Sequence, residues 1–199
     1  MPKMPPKHRK WVIADLHFRH PGILSFTDGL RGGTSMEEHD KWIVDQWNSV
    51  VTKHDLVYVL GDVAINSDGL DLVKKLRGSK MLVRGNHDIY DTRRYLEVGF
   101  QQIHGIIRYR GTFWLTHAPI HPGSLRHLYN IHGHTHQNIV PGQHYICCSV
   151  EHSFGVPQSL DMLAETYGPL VKAAYERDIQ QTMHDGASAP QVAAKPKDL

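Results

Sequence analysis

The chain has 199 residues, with 22 Lys plus Arg against 20 Asp plus Glu, a net charge of +2, and 40% hydrophobic residues. That composition fits one globular domain with a substantial core, and the weak charge gives no support to an electrostatic track for nucleic acid or an anionic membrane surface. It has no apolar run of membrane-spanning length and no signal-peptide core behind MPKMPPKHRK, and its two cysteines, the neighbours Cys147 and Cys148, suit neither an unstrained disulfide nor a Cys-rich zinc site. No membrane association and a reducing, cytoplasmic setting are therefore expected.

In chain order, residues 1–10 read as a flexible basic arm. WVIADLH (11–17) is then the first of five short apolar runs that each stop at a polar cluster. The others are LVYVLGD (56–62), MLVRGNHD (81–88), TFWLTH (112–117) and YNIHGHTH (129–136), and each reads as a buried strand. Between the first two, residues 35–49 form a helix. Ser35 and Glu38 have capping-box spacing, and Ile43, Val44 and Trp47 share one face, with Trp42 and Trp47 as core rather than a stacking platform. GLDLVKKLRG (69–78) is a second helix closed by Gly78. HYICCSV (144–150) is a further strand, and residues 159–183 have helical character interrupted near Gly168–Pro169. Residues 184–199 read as a flexible tail, which leaves 11–183 as the domain. Alternating strands and helices over residues 11–90 predict an α/β fold with partly parallel strands; the short later connections predict antiparallel pairing near the end.

Ligands in open α/β sheets bind beyond the carboxyl ends of the strands, so these polar clusters should meet on one rim. What meets there is Asp15 and His17, Asp62, Asn86 with His87 and Asp88, His117, and His134 with His136. Residues two apart on an extended segment project to one side, so Asp15 with His17, and His134 with His136, can each face a common ion, while Gly133 relieves crowding. The donors are imidazole, carboxylate and amide without thiolate, a set that suits Mn, Fe, Zn, Co or Ni. Seven ligands are too many for one ion; they suit two divalent ions sharing a carboxylate, with Asp62 the natural bridge. Two divalent cations against the carboxylates of Asp15 and Asp62 leave the site about +2, which attracts an anion, and paired ions about 3.5–4 Å apart suit in-line attack at phosphorus.

The series D-x-H (Asp15, His17), G-D (Gly61, Asp62), G-N-H-D (Gly85–Asp88), a lone His117 and G-H-x-H (Gly133–His136) resembles the calcineurin-like metallophosphoesterases, in the family's order over residues 11–136. The stretch YICCSVEHSFGVPQSLDML resembles the closing strand and turn of compact bacterial and phage-type members. The resemblance implies a four-layer α/β/β/α fold, a distorted β-sandwich flanked by helices, with a dinuclear centre. One metal would be held by Asp15, His17, Asp62 and His136, the other by Asp62, Asn86, His117 and His134. Mn²⁺ is the first choice, with Fe, Zn, Ni or Co compatible. A bridging water or hydroxide would be the nucleophile. His87 would protonate the leaving oxygen, supported by Asp88 rather than ligated beside it.

The protein-phosphatase branch places an acidic residue three positions after the bridging Asp, followed by an arginine. Here those positions are Ile65 and Asn66, which argues against a Ser/Thr protein phosphatase and leaves Asp68 or Asp88 to orient His87. His20, Arg31 and His121 are candidate substrate contacts, with loop packing or a solvated charge as the alternative. Arg31 sits in TDGLRGGTS, a loop able to fold over the site and clamp a phosphate. His132 should point away from the pocket-facing pair, and Arg84 should pack at its strand end. The expected substrate is a phosphorylated small molecule or nucleotide, a phosphodiester slightly ahead of a phosphomonoester. The alternatives are a non-catalytic metal-binding module of the same fold, disfavoured because no ligand is missing, and a nuclease for long polymers, which a net charge of +2 does not favour.

Overall fold

Val12 and Ile13 are neighbours that face opposite ways, and both are fully buried. Ile13 joins a cluster with Ile43, Trp47 and Val59, and Val12 joins a second cluster with Leu60, Leu115 and Ile131. A strand covered on both faces in this way reads as a continuous apolar run, as the sequence does here.

The computed structural model describes residues 8–184. Of the two expected tails, residues 1–7 and 185–199 lie outside the described residues, while Lys10 already opens the first strand. The elements run β1 (Lys10–Ile13), α1 (Ile23–Phe26), α2 (Met36–Val50), β2 (Leu56–Val59), α3 (Ser67–Asp71), β3 (Ser79–Val83), α4 (Thr92–Glu97), β4 (Phe100–His104) and β5 (Ile107–Tyr109). There follow β6 (Phe113–Leu115), β7 (Tyr129–His132), β8 (Tyr145–Cys147), α5 (Val150–Ser153), β9 (Gln158–Ser159) and α6 (Leu160–His184).

One sheet has the order β4-β3-β2-β1-β9, the other β5-β6-β7-β8, giving an α/β protein of two sheets flanked by helices. Strands β1 to β4 pair in parallel, and only β9 runs against β1. In the second sheet β5 is antiparallel to β6, but β6, β7 and β8 are parallel, where the short connections had suggested antiparallel pairing. Parallel neighbours need crossovers of about a dozen residues. Residues 116–128 and 133–144 are long enough to cross over, and they do so largely as irregular backbone that carries site residues.

The helices follow their local chemistry. Ser35 caps α2 by accepting the Glu38 N–H at 3.2 Å. The Glu38 carboxylate closes on Thr34 instead of Ser35, accepting its N–H at 2.8 Å and its hydroxyl at 2.7 Å, so the box is shifted by one residue. The expected second helix is α3 continued by a 3-10 turn over Leu72–Lys75, with Asn66 as its cap. Helix α6 runs unbroken through Pro169. Proline removes the donor to the Glu165 carbonyl, and since Glu165 and Pro169 are both exposed, water can take its place.

Candidate metal centre

The chain leaves β1, β2, β3, β6 and β7 at one rim. Asp15 and His17 follow β1, Asp62 follows β2, Asn86 and His87 follow β3, His117 follows β6, and His134 and His136 follow β7. The first two exits are laced together: Asp15 N–H donates to Gly61 O and His17 N–H to Asp62 O, each at 3.0 Å.

These residues do not converge by extended alternation. Asp15, His17, Asp62, His134 and His136 all hold left-handed backbone, with φ of 60°, 49°, 53°, 70° and 51°. Such conformations are uncommon outside glycine and persist where surrounding structure over-determines them. Gly133 meets its expected role: a Cβ there would lie 2.4 Å from Asp15 Oδ2 and 2.5 Å from Ala14 Cβ.

Two groups able to hold a cation result, Asp15 with His17 and His136, and Asp62 with His117 and His134. Asp62 stands between them. Its Oδ2 lies 3.6 Å from His17 Nε2, and its Oδ1 lies 3.5 Å from His117 Nε2. His117 Nδ1 lies 2.8 Å from the Leu60 carbonyl, which turns Nε2 toward Asn86 Oδ1 at 2.8 Å and His134 Nδ1 at 3.2 Å. His134 Nδ1 is also 2.9 Å from Asn86 Oδ1. With His117 donating through Nδ1, its Nε2 and the Asn86 oxygen are both acceptors, and a cation between them satisfies the cluster.

The deeper group gives the stronger test of fit. His17 is 2% exposed, and neither ring nitrogen has a hydrogen-bond partner. Nε2 faces Asp15 Oδ1 at 3.9 Å and Asp62 Oδ2 at 3.6 Å, too far for hydrogen bonds but with room for a shared ion. Burial, helped by the nearby Arg31 charge, pushes the imidazole far below its ordinary range, so it stays neutral and able to ligate. Burial also raises the Asp15 carboxyl, against the Ser149 hydroxyl that donates to Oδ2 at 2.6 Å and the nearby histidines. A bound cation would lower it again. The residues therefore fit divalent metal in both groups.

His87 lies at the mouth, its side chain 43% exposed and its Nε2 4.0 Å from Asp62 Oδ2. Among the described residues neither Asp68 nor Asp88 hydrogen-bonds its ring. Asp88 instead accepts backbone N–H groups from Gly85 (2.8 Å), Asp62 (2.9 Å) and Val63 (3.1 Å), which fixes the turn that carries Asp62. His20 is beside the site, its ring centroid 5.3 Å from that of His17 and 6.5 Å from that of His87. Arg31 does not reach over the pocket. It is buried, with the Glu151 carboxylate and the carbonyls of Asp15 and Leu16 as partners. The exposed His121 instead caps the 3-10 turn Pro122–Ser124, its Nδ1 accepting the Gly123 N–H at 3.1 Å, and it belongs to neither group. His132 is buried and turned onto Gly133 O at 2.8 Å. Arg84 packs its guanidinium over the Tyr95 ring.

Glu151 and Ser149 are the residues that sequence reasoning missed. Glu151 Oε1 lies 2.9 Å from His136 Nδ1. Burial alone would raise this carboxyl, but His136 and Arg31 together hold it down at about 2. Burial pulls His136 the other way, yet the bond to Glu151 and the Asp15 charge leave it above its ordinary value. Neither residue belongs to a spaced motif; the only signal was their position just after the strand at 145–147.

Two layered sheets with carboxylate–imidazole groups gathered at one rim define an α/β sandwich built around a candidate metal site. The chain belongs to the calcineurin-like phosphoesterase family, whose model matches residues 8–173. The uncharacterized protein MJ1445 of Methanocaldococcus jannaschii is 32% identical over 168 residues, which cover 78% of this chain and 89% of that protein. The Gene 66 protein of Mycobacterium phage L5 is 34% identical over 83 residues, 39% of each chain. Among solved structures, the protein of unknown function AQ665 from Aquifex aeolicus superposes with a TM-score of 0.62 at 24% identity, over 80% of this chain and 99% of that one, a likeness of fold.

Proposed function

We propose that this chain is a dinuclear metal-dependent phosphoesterase. The observation that carries the reading is Asp62, whose two carboxylate oxygens face one imidazole of each group, at 3.6 Å and 3.5 Å. Asp15, His17, Asp62 and His136 would hold one ion, and Asp62, Asn86, His117 and His134 the other. The thiolate-free donor set suits Mn²⁺ first and accommodates Fe, Zn, Ni or Co. When bound, two such ions supply a nucleophile from water at neutral pH and neutralise charge on the phosphoryl oxygens.

The chain's own groups supply the rest. His87, half in solvent at the mouth, delivers a proton to the leaving oxygen, and Asp88 acts on it only through the backbone it pins. His20 forms the adjacent wall and is the substrate contact we retain. Asn86 and His134 are exposed, so a phosphorus atom with groups on two sides can lie across the centre. That geometry favours a diester slightly over a monoester, of small-molecule or nucleotide type. Cys147 and Cys148 are both free thiols, in keeping with a reducing compartment, and among the described residues no helix is long and apolar enough to cross a membrane.

The test is hydrolysis of bis-p-nitrophenyl phosphate and p-nitrophenyl phosphate by metal-stripped protein with Mn²⁺, Ni²⁺, Zn²⁺ or Fe²⁺ restored. Turnover should require metal and disappear in Asp62→Ala, and His87→Ala should lose about 10²–10⁴-fold while still binding metal. Two bound ions without turnover on either ester would instead favour a non-catalytic binding module.

A further inference from the structure

Behind the deeper metal group lies a buried ion pair that the chemistry above does not use. The side chains of Arg31 and Glu151 are 0% and 1% exposed. Glu151 Oε1 accepts Arg31 Nε at 2.9 Å and Nη2 at 2.7 Å, and it is 2.9 Å from His136 Nδ1. The remaining guanidinium N–H groups donate to Asp15 O at 2.7 Å and Leu16 O at 3.2 Å, and Nη1 also lies 3.2 Å from His39 Nε2. One guanidinium thus grips both walls of the same group: the backbone of the D-x-H turn directly, and His136 through Glu151.

An ionised carboxylate only accepts hydrogen bonds, so a His136 bonded to Glu151 carries a proton on Nδ1, and the neutral ring then presents an unprotonated Nε2. The His136 ring then stacks on His17, with centroids 5.1 Å apart and planes at 29°. The other group has a separate support. His117 is oriented by the Leu60 carbonyl at 2.8 Å, and neither Arg31 nor Glu151 hydrogen-bonds Asp62, His117 or His134.

We propose that Arg31 and Glu151 are positioning residues for one metal group alone. They fix the tautomer and ring plane of His136 and hold it against the Asp15–His17 turn, while the Asp62–His117–His134 group makes no hydrogen bond to either and meets the first group only through the shared Asp62 and the His134 N–H on Asp15. The proposal rests on the reading of these residues as two metal groups. Its mechanism is the one by which outer partners commonly set ligand orientation, with losses of 10–100-fold in metal affinity when they are removed.

The first experiment uses metal-free wild-type protein: long-range ¹H–¹⁵N spectra of the histidine rings at alkaline pH. His136 should be protonated on Nδ1 only; a proton on Nε2 overturns the proposal, and this readout holds even if the metal reading fails. The second is Mn²⁺ titration by calorimetry of wild type, Glu151→Gln, Glu151→Leu and the double variant Arg31→Met/Glu151→Leu. The double variant removes both buried charges, so neither is left uncompensated. Wild type should bind two ions. Both Leu variants should keep one site within a few-fold and weaken the other by about 10–100-fold. Glu151→Gln, whose amide oxygen still accepts from Nδ1, should recover most of the second site. Equal weakening of both sites, or two unchanged sites in the double variant, overturns the proposal.

Discussion

Replacing Gly133 by Ala adds one carbon where the backbone passes closest to Asp15. The new Cβ would stand 2.4 Å from Asp15 Oδ2 and 2.5 Å from Ala14 Cβ. Ordinary contact is about 3.5 Å, so something must move by about 1 Å. Asp15 cannot easily yield: Ser149 Oγ donates to it at 2.6 Å, and the His134 N–H reaches both its oxygens at 2.9 and 3.1 Å. Metal ligands tolerate displacements of about 0.2 Å, and a misplacement of about 1 Å costs on the order of 10²-fold in rate. Overpacking should also lower the stability of the metal-free protein by about 1–3 kcal/mol. The assay pairs Mn²⁺ titration and diester turnover with thermal unfolding, and Gly105→Ala serves as control because a Cβ there meets nothing within 4 Å. Wild-type affinity and turnover in Gly133→Ala would refute the reasoning.

Three further outcomes follow from the same geometry. Ile131→Ala, at a fully buried position between the sheets, should cost about 2–5 kcal/mol in urea unfolding; a loss under 1 kcal/mol would mean that this core collapses around the gap. Asp55 is buried, which alone would raise its carboxyl, but hydrogen bonds from Thr52 and Arg9 hold it at about 2, below the ordinary carboxylate range. A lowered folded pKa contributes stability above the unfolded value, so roughly 2 kcal/mol should vanish as pH falls from about 4 to 2, and Asp55→Asn should flatten that acid limb; an unaltered limb would assign it to other groups. Mn²⁺ at about 100 times its dissociation constant should stabilise the fold by about 2.7 kcal/mol per independent site. A melting temperature indifferent to both Mn²⁺ and chelator would contradict a metal centre.

The strands β1, β2, β3, β6 and β7 were legible because both their faces are covered, so each reads as a short, mainly apolar run ending at polar residues, with the buried Asn130 as an interruption in β7. The edge strands β4 and β5 were not. Gln101 and Gln102 face water, and an edge needs no apolar alternation on its open side. The parallel order of β6 to β8 was hidden because its crossovers carry no helical period, although their length already excluded tight hairpins. At the rim, the types and spacing of the candidate ligands could be read directly. Their left-handed backbone could not, since Asp and His, although enriched at positive φ, adopt ordinary backbone far more often. Arg31 and Glu151 were invisible as a pair: 120 residues separate them, and only the fold brings them together.

Each metal group draws on both sheets: Asp15, His17 and Asp62 hang from one, His117, His134 and His136 from the other. Ions bound there would act as rivets across the seam where the two sheets meet. Any sliding of one sheet over the other would pull both ions off their ligands at once. The apolar seam below, with Val12, Phe113, Leu115 and Ile131 at its heart, thereby sets the tolerance of the centre above it, through side chains packed in the core rather than at the rim.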